Sequence, residues 1–181
     1  MIRSMTGFVL LSAVASLAAG GTFVVDPERS FVGVDVKASP PHHFTVELSD
    51  FDASIVFAEG EPRKARFAFQ IADLNSDKES RDRKMRDWME IDRFPRVVYE
   101  LERVETDAQG RSHGIGTLTM HGSTRPVDVV FAADSGGDGL SLSGEAEINY
   151  HEWGLETIAL LFFKVKPELR VRFELKGRLE P

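Results

Sequence analysis

SDKESRDRKMRDWMEIDRFPRVV, residues 76–98, is the stretch around which the chain is organised, because it is the one internal segment with a helical pattern among many strand-like segments. Ser76 and Glu79 have the spacing of a capping box, in which each side chain pairs with a backbone amide left free at the helix start. We therefore expect the helix to begin near Asp77. It should end by Arg93, because Pro95 disfavours helical backbone at the preceding residue, Phe94.

One face of this predicted helix is apolar and narrow. Met85, Trp88 and Met89 lie three and four positions apart, so their side chains share a stripe that can face a core. The charged residues are expected to stay in water, namely Lys78, Arg81, Asp82, Arg83, Arg86 and Asp87. Such a helix is either a lid over the mouth of a larger structure or a solvated connector. The two interpretations differ in where Trp88 and Met89 point.

The connector interpretation relies on ion pairs along the helix. Two pairs have the required spacing of four residues, Glu79 with Arg83 and Asp82 with Arg86. Each such pair contributes only about 0.2–0.5 kcal/mol in an isolated helix.

Most of the chain beyond the first 20 residues has the two-residue alternation of half-buried strands. Eight substantial segments show it, at residues 30–37, 45–57, 65–71, 97–102, 112–121, 127–131, 140–150 and 169–177, with residues 22–25 as a ninth candidate. Most connections between them are too short for crossovers, so we expect antiparallel neighbours. The sequence thus predicts an all-β fold. We prefer an eight-stranded antiparallel barrel, with one short helix between strands, to a sandwich of two sheets.

The inner face of such a barrel mixes small and large residues. Gly116, Gly144 and Ala146 alternate onto it, so these positions are expected to leave space that larger side chains line. Five aromatic residues are predicted to line one interior: Phe67, Phe69, Tyr99, Phe131 and Phe173. A space lined by aromatic side chains favours an apolar ligand.

The first 20 residues have the pattern of a secretory signal peptide. Arg3 is followed by an uncharged run over residues 6–17 and then by three small residues. The apolar run is shorter than the roughly 20 residues that span a bilayer, which favours cleavage after residue 18, 19 or 20 over a membrane anchor. We therefore predict a signal peptide at residues 1–20 and the barrel domain at residues 21–181.

Cysteine content and charge narrow the location and partners of the mature chain. The sequence has no cysteine, which excludes disulfides and a cysteine-linked lipid anchor, so we expect a free periplasmic or secreted protein. Without residues 1–20 the chain keeps 21 basic and 29 acidic residues, a net charge of −8. That sign opposes nucleic acid or an anionic membrane as a partner.

The residues that carry chemistry are scattered. The five histidines belong to different predicted elements and are His42, His43, His113, His121 and His151. Their separation argues against a metal site, and the chain has no Gly-x-Ser-x-Gly elbow. Asp87, Glu90 and Asp92 have the character of solvated carboxylates. We predict no catalytic residue and no metal ligand, and we expect His121 to fix its turn by hydrogen bonding.

Several motifs together resemble one protein family. RDRKMR at residues 81–86 and FP at residues 94–95 are followed by GTLTMHGSTRPV at residues 116–127. Three further motifs support the match: FVVDP at residues 23–27, DFDASI at residues 50–55 and INYHEWGL at residues 148–155. In this order the chain resembles the YceI-like family of exported, lipocalin-like barrels that bind polyisoprenoid lipids.

This resemblance implies a lipocalin-like barrel whose interior holds the tail of a quinone-like or polyprenol-like lipid, and a carrier rather than an enzyme. We expect no cofactor, other than a bound isoprenoid lipid or quinone as ligand. We also expect that the protein contacts a membrane transiently and that it is a monomer or homodimer. With the strand alternation, the resemblance yields the candidate ligand-binding residues Phe67, Phe69, Ile71, Trp88, Met89, Phe94, Tyr99, Leu101, Leu118, Met120, Val129, Phe131, Leu142, Ile148 and Phe173.

Two other functions stay open from the residues alone. An enzyme could act on a hydrophobic substrate in the same cavity, which would require polar side chains that converge inside the barrel. Alternatively, the apolar run from Leu160 to Phe163 could dock on a membrane complex. The nearby segment at residues 153–155 could join that surface or fold inward, and we prefer the inward orientation.

Overall fold

The computed structural model describes residues 20–39, 42–136, 139–160 and 163–181. The predicted signal peptide lies outside these residues except for Gly20, and so do the side chains of the proposed docking run at residues 160–163. One α-helix is described, α1 (Glu79–Trp88), with two short 3-10 helices at Ile71–Asp73 and Tyr150–Trp153. The strands are β1 (Gly21–Ser39), β2 (His42–Leu48), β3 (Asp52–Ala58), β4 (Glu61–Gln70), β5 (Leu74–Asn75), β6 (Arg96–Thr106), β7 (Ser112–Met120), β8 (Ser123–Gly136), β9 (Gly139–Asn149), β10 (Ala159–Leu160), β11 (Phe163–Val165) and β12 (Glu168–Glu180).

Eight of these strands form a closed antiparallel ring in the order β1, β12, β9, β8, β7, β6, β4 and β3. The start of β1 pairs with β3, where Phe23 lies opposite Ile55, and this pairing closes the ring. β2 takes the position beside the second half of β1, so the segment predicted as one strand over residues 45–57 is two strands. The predicted eight-stranded antiparallel barrel is confirmed.

β1 joins two segments that the alternation had separated. Its pairing with β12 shifts register between Asp26 and Phe31, which marks a β-bulge. The Ser30 hydroxyl donates to the Asp26 carbonyl oxygen at 2.6 Å and accepts from the Lys176 amide at 3.0 Å. Pro27 lies in this bulge, where its missing N–H breaks no ladder hydrogen bond. Residues 22–25 are therefore the first part of β1 and not a ninth strand.

The connections divide between two ends of the barrel. The two long connections, residues 71–95 with α1 and residues 150–167, meet at one end, which we call the mouth. The short turns after β3, β6 and β8 lie at the opposite end. There the rings of Phe23 and Phe57, each 1% exposed, pack edge to face with centroids 6.1 Å apart. These rings close that end of the barrel.

The capping box predicted for α1 is wrong. The helix begins at Glu79, and its capping residue Lys78 makes no side-chain cap hydrogen bond. Asp82, one turn into the helix, instead accepts a 3.0 Å hydrogen bond from the Ser76 amide. The Ser76 hydroxyl is buried without a hydrogen-bond partner among the described residues. The capping box does not form because the buried carboxylate of Asp82 accepts the hydrogen bond from the Ser76 amide that Glu79 was expected to accept.

The helix stops at Trp88, before the limit predicted at Arg93. Glu90 then adopts a positive φ of 50°, which an α-helix cannot continue through. The Glu79–Arg83 ion pair forms at 3.0 Å on the exposed side. The predicted Asp82–Arg86 pair does not form, because Asp82 bonds to the Ser76 amide and Arg86 donates to the Ala72 carbonyl oxygen at 3.1 Å.

Candidate functional site

The barrel encloses a cavity of about 620 Å³, a size typical of small-molecule binding sites. All eight strands of the ring contribute apolar side chains to its wall, for example Val32, Ile55, Phe67, Val97, Leu118, Val129, Leu142 and Phe173. Two tyrosines, Tyr99 and Tyr150, also lie on the wall. The other polar side chains that line the cavity lie at its mouth: His42, Lys78, Ser80, Arg81 and Lys84. The interior therefore suits an apolar guest.

The cavity is deep along the barrel. On β12, Leu169 near the mouth and Leu175 near the closed end both line it. Six residues of strand rise about 20 Å, or about 15 Å along the axis of a barrel whose strands tilt by roughly 40°. This depth suits an extended chain better than a compact ring system.

The glycines of the inner face do not leave open space, contrary to expectation. A Cβ atom at Gly116 would lie 2.8 Å from the Tyr99 ring, and one at Gly144 would lie 2.6 Å from the Phe173 ring. The Tyr99 hydroxyl donates to the Gly114 carbonyl oxygen at 2.9 Å. Aromatic rings thus fill the glycine positions, and the cavity lies beside these rings and toward the mouth.

Both wall tyrosines have engaged hydroxyl groups. The Tyr150 hydroxyl donates to the Val165 carbonyl oxygen at 3.1 Å. Burial raises the pKa of Tyr99 and of Tyr150 above the usual tyrosine value, so both stay neutral. Neither hydroxyl is prepared for proton transfer to a guest.

Eleven of the fifteen candidate ligand-binding residues lie on the cavity wall. They are Phe67, Phe69, Trp88, Met89, Tyr99, Leu118, Met120, Val129, Leu142, Ile148 and Phe173. Four of the five aromatic residues predicted to share one interior are in this group. Their contact with a ligand stays a prediction.

The remaining four candidates lie elsewhere. Ile71 is fully buried in the 3-10 helix after β4, because the strand ends one residue earlier than predicted. Phe94 packs edge to face on His121, with ring centroids 4.7 Å apart. Leu101 and Phe131 pack around Gly114, toward the closed end and away from the cavity wall. Strand alternation placed these last two on the inner face but could not show that neighbouring rings fill the space there.

Helix α1 covers the mouth, as the lid interpretation requires. Met85, Trp88 and Met89 line the cavity, and Met89 is 5% exposed. The Trp88 indole N–H donates to the Glu156 carbonyl oxygen at 2.8 Å, and its ring packs on Tyr150 at 5.0 Å between centroids. These contacts join the lid to the connection before β12. The connector interpretation is wrong because the apolar stripe points into the barrel.

A second tryptophan anchors the other side of the mouth. Trp153 is 2% exposed, and its indole N–H donates to the Leu118 carbonyl oxygen at 3.1 Å. Leu155 is also buried, so this segment folds inward as preferred. It is packed structure and not a docking surface.

His121 joins three mouth segments instead of fixing only its own turn. Its Nδ1 lies 3.2 Å from the Trp153 carbonyl oxygen, and its Nε2 lies 3.4 Å from Glu90 Oε1. Glu90 also pairs with Arg93, and this pair, with a smaller contribution from His121, holds the pKa of the Glu90 carboxyl below its usual value. Glu90 therefore remains partly exposed to solvent, as expected, but it is paired with Arg93 and His121 at the mouth.

No group of three or more potential ligating side chains that could hold a metal ion occurs in the described part of the chain. His113 lies on the outer face between Asp107 at 3.2 Å and Asp128 at 2.9 Å, and hydrogen bonds to these carboxylates raise its pKa.

Among the residues that the structure describes, none of the helices has the length and apolar character needed to span a membrane.

Comparison with known proteins gives consistent matches. A family model of the YceI-like domain matches residues 23–177. A UPF0312 protein of Photorhabdus laumondii is 26% identical over 168 residues, which cover 90% of this chain and 84% of that protein. A UPF0312 protein of Azotobacter vinelandii is 30% identical over 139 residues, which cover 74% of this chain and 70% of that protein.

Two solved structures share the fold. BcnA of Burkholderia cenocepacia superposes with a TM-score of 0.73 at 18% identity, covering 84% of this chain and 98% of BcnA. A polyisoprenoid binding domain from Saccharophagus degradans gives a TM-score of 0.66 at 13% identity, covering 90% of this chain and all of that domain. Because the family match spans nearly all of the closed barrel, we conclude that the chain belongs to the YceI-like family.

Proposed function

We propose that this protein binds and carries a long apolar lipid, of the polyprenol or quinone type, inside its barrel. The observation that carries the proposal is the cavity of about 620 Å³ with an apolar wall drawn from all eight barrel strands and a helix over its mouth. A structural neighbour is named as a polyisoprenoid binding domain, which supports the same ligand class. Such a carrier must contact a membrane transiently, because its cargo is insoluble in water. We propose that it acts as a monomer or homodimer.

Carriage fits the interior better than catalysis does. The hydroxyls of Tyr99 and Tyr150 both donate to backbone carbonyl oxygens, so neither converges on a reacting centre. The remaining wall inside the barrel is apolar and supplies affinity through burial, at about 0.8 kcal/mol for each methylene removed from water. We therefore propose a binding protein and not an enzyme.

Affinity should increase with tail length until the cavity is full. We expect geraniol, farnesol and geranylgeraniol to bind progressively more tightly, by at least about tenfold per isoprene unit, since each unit buries five carbons and loses part of that gain to chain ordering. Titration with a displaceable fluorescent probe would measure the series. Affinity that does not depend on tail length would contradict binding inside the barrel.

We propose that the protein is exported and acts in the periplasm. The support is the pattern of residues 1–20, with one basic residue, a short uncharged run and small residues. We expect the mature chain to start between Ala19 and Gly21, and N-terminal sequencing of the periplasmic fraction would determine this. Recovery of an intact Met1 in the membrane fraction would instead indicate an anchor.

A further inference from the structure

One histidine connects the end of the lid to the opposite side of the mouth. His121 lies in the turn between β7 and β8, and its side chain is only 14% exposed. Its Nδ1 lies 3.2 Å from the carbonyl oxygen of Trp153, and its Nε2 lies 3.4 Å from Glu90 Oε1. Glu90 follows the last residue of α1 by two positions. A single ring therefore joins the end of the lid to the 3-10 helix at Tyr150–Trp153.

Both of these contacts require a hydrogen on the ring. The Trp153 carbonyl oxygen can only accept a hydrogen bond, and so can the Glu90 carboxylate when it is ionised. The ion pair with Arg93 holds the pKa of Glu90 below its usual value, so this carboxylate stays ionised near neutral pH. A neutral imidazole has one N–H and can serve one of the two oxygens, whereas the imidazolium has two. The junction is fully hydrogen-bonded only when His121 is protonated.

The charges around the imidazole favour a bond to the lid in particular. Arg93 pairs with Glu90 and lies 4.8 Å from the centroid of the Phe94 ring, which itself packs on His121. On the other side, the Arg125 Nε donates to the Glu152 carbonyl oxygen at 3.0 Å, and the Glu152 side chain is exposed. Over the part of the chain that the structure describes, Glu90 is the only carboxylate that forms an ion pair with His121.

The backbone on both sides of this bond depends on its surroundings. Glu90 and His121 have positive φ angles of 50° and 48°, in a region that side chains other than glycine adopt at a cost. Such conformations persist where neighbouring contacts hold them. Loss of the bond between the two side chains would therefore release the end of α1 more readily than loss of a surface ion pair elsewhere.

We propose that His121 is a pH-dependent latch on the lid, which holds the end of α1 at the mouth when the imidazole is protonated and frees it when the proton leaves. The closed lid is then most stable at low pH and loses that stability as the pH rises through the imidazole titration. Histidine ordinarily titrates between about pH 5 and 8. The latch rests on the proposed lipid-binding function only for its effect on lipid release.

Hydrogen exchange of the α1 amides in lipid-free protein measures opening of the lid directly. After correction for the intrinsic exchange rate, we expect the open fraction to be at least about threefold larger at about pH 8 than at about pH 5.5. The midpoint should agree with the titration of the His121 imidazole followed by NMR. Release of farnesol, measured by stopped flow, should accelerate over the same pH range by a similar factor.

Two variants remove the latch from either side. His121→Asn eliminates the titrating ring and keeps a residue type that tolerates positive φ, and Glu90→Gln eliminates the anionic partner. We expect the pH dependence of opening to disappear in the first variant and to fall to within about twofold in the second. The control is His151→Asn, in the adjacent 3-10 helix, where the imidazole Nε2 lies 3.0 Å from the Thr157 hydroxyl. It should keep the pH dependence, and thermal unfolding checks that all three variants fold.

The outcomes separate the latch from the function on which its effect on release rests. Opening that does not change with pH in the natural protein, or a pH dependence that survives in His121→Asn, would overturn the latch. If that variant did not fold, an unchanged pH dependence in Glu90→Gln would do so. Opening that depends on pH and on His121 would support the latch even if farnesol did not bind, and only the lipid-binding function would then fail.

Discussion

Replacing Ala65 and Ala146 together with phenylalanine is expected to weaken geranylgeraniol binding on the order of a hundredfold, because two rings would occupy the space of the tail. Both alanines line the cavity, from β4 and β9 on opposite sides of the ring. Overpacking a filled core costs roughly 1–3 kcal/mol, but these rings enter open space, so we expect the free energy of unfolding to fall by less than about 2 kcal/mol. Lipid titration and chemical unfolding measure the two effects.

A matched control adds the same ring volume outside the barrel. Ala132→Phe on the outer side of β8 and Ala108→Phe in the turn after β6 are both at exposed positions. We expect this variant to bind lipid like the natural protein. If the cavity variant folded and still bound geranylgeraniol with unchanged affinity, the ligand would lie elsewhere. If it failed to fold, the wall would be ordinary packed core.

Truncation of the two tryptophans at the mouth is expected to affect different properties, stability for Trp153 and lipid release for Trp88. Trp153→Ala should lower the free energy of unfolding by about 3–5 kcal/mol, because it empties a buried site and removes the bond to the Leu118 carbonyl oxygen. Trp88→Ala should cost less than about 2 kcal/mol, since Trp88 is half-buried on a lid with few partners. It should, however, speed lipid release at least about tenfold by opening the mouth.

Stopped-flow release and chemical unfolding would be measured on the same samples. Trp88→Phe serves as the control, because it keeps a ring beside Tyr150 and removes the N–H that bonds to Glu156. Release close to that of the natural protein in this control would assign the gating to ring packing. A loss of several kcal/mol in Trp88→Ala, with unchanged release, would make α1 part of the core.

The barrel was predictable because the alternation of apolar and polar residues can be read from each strand alone, and it shows which face of the sheet must be buried. On β12, Leu169, Val171, Phe173 and Leu175 alternate with polar residues, and all four line the cavity. A strand with one apolar face must bury that face, and eight such strands with mostly short connections can do so by closing on themselves. The family motifs, spread along the same chain, point to the same fold.

Strand alternation could not show whether an inward-facing side chain lines the cavity or packs against neighbouring side chains inside the barrel. Leu101 and Phe131 occupy inward positions like their neighbours, yet they pack around Gly114 and not on the cavity. Which ring enters the space above a glycine depends on the side chains of the adjacent strands. That information lies in the register between strands, for example where Tyr99 pairs with Leu118 and its ring crosses Gly116.

The sequence by itself determined which segments alternate as barrel strands, where most turns lie, that a helix follows β4, and the sign of the net charge, because each depends on composition or on neighbours a few positions away. Only the tertiary structure decided how that helix begins and what it faces. Asp82 folds back to the Ser76 amide in place of the capping box, and the side chains of Lys78, Arg81 and Lys84 line the cavity at its mouth. Helical periodicity states which side chains share a face, but the orientation of that face is set by packing against a barrel assembled from distant strands.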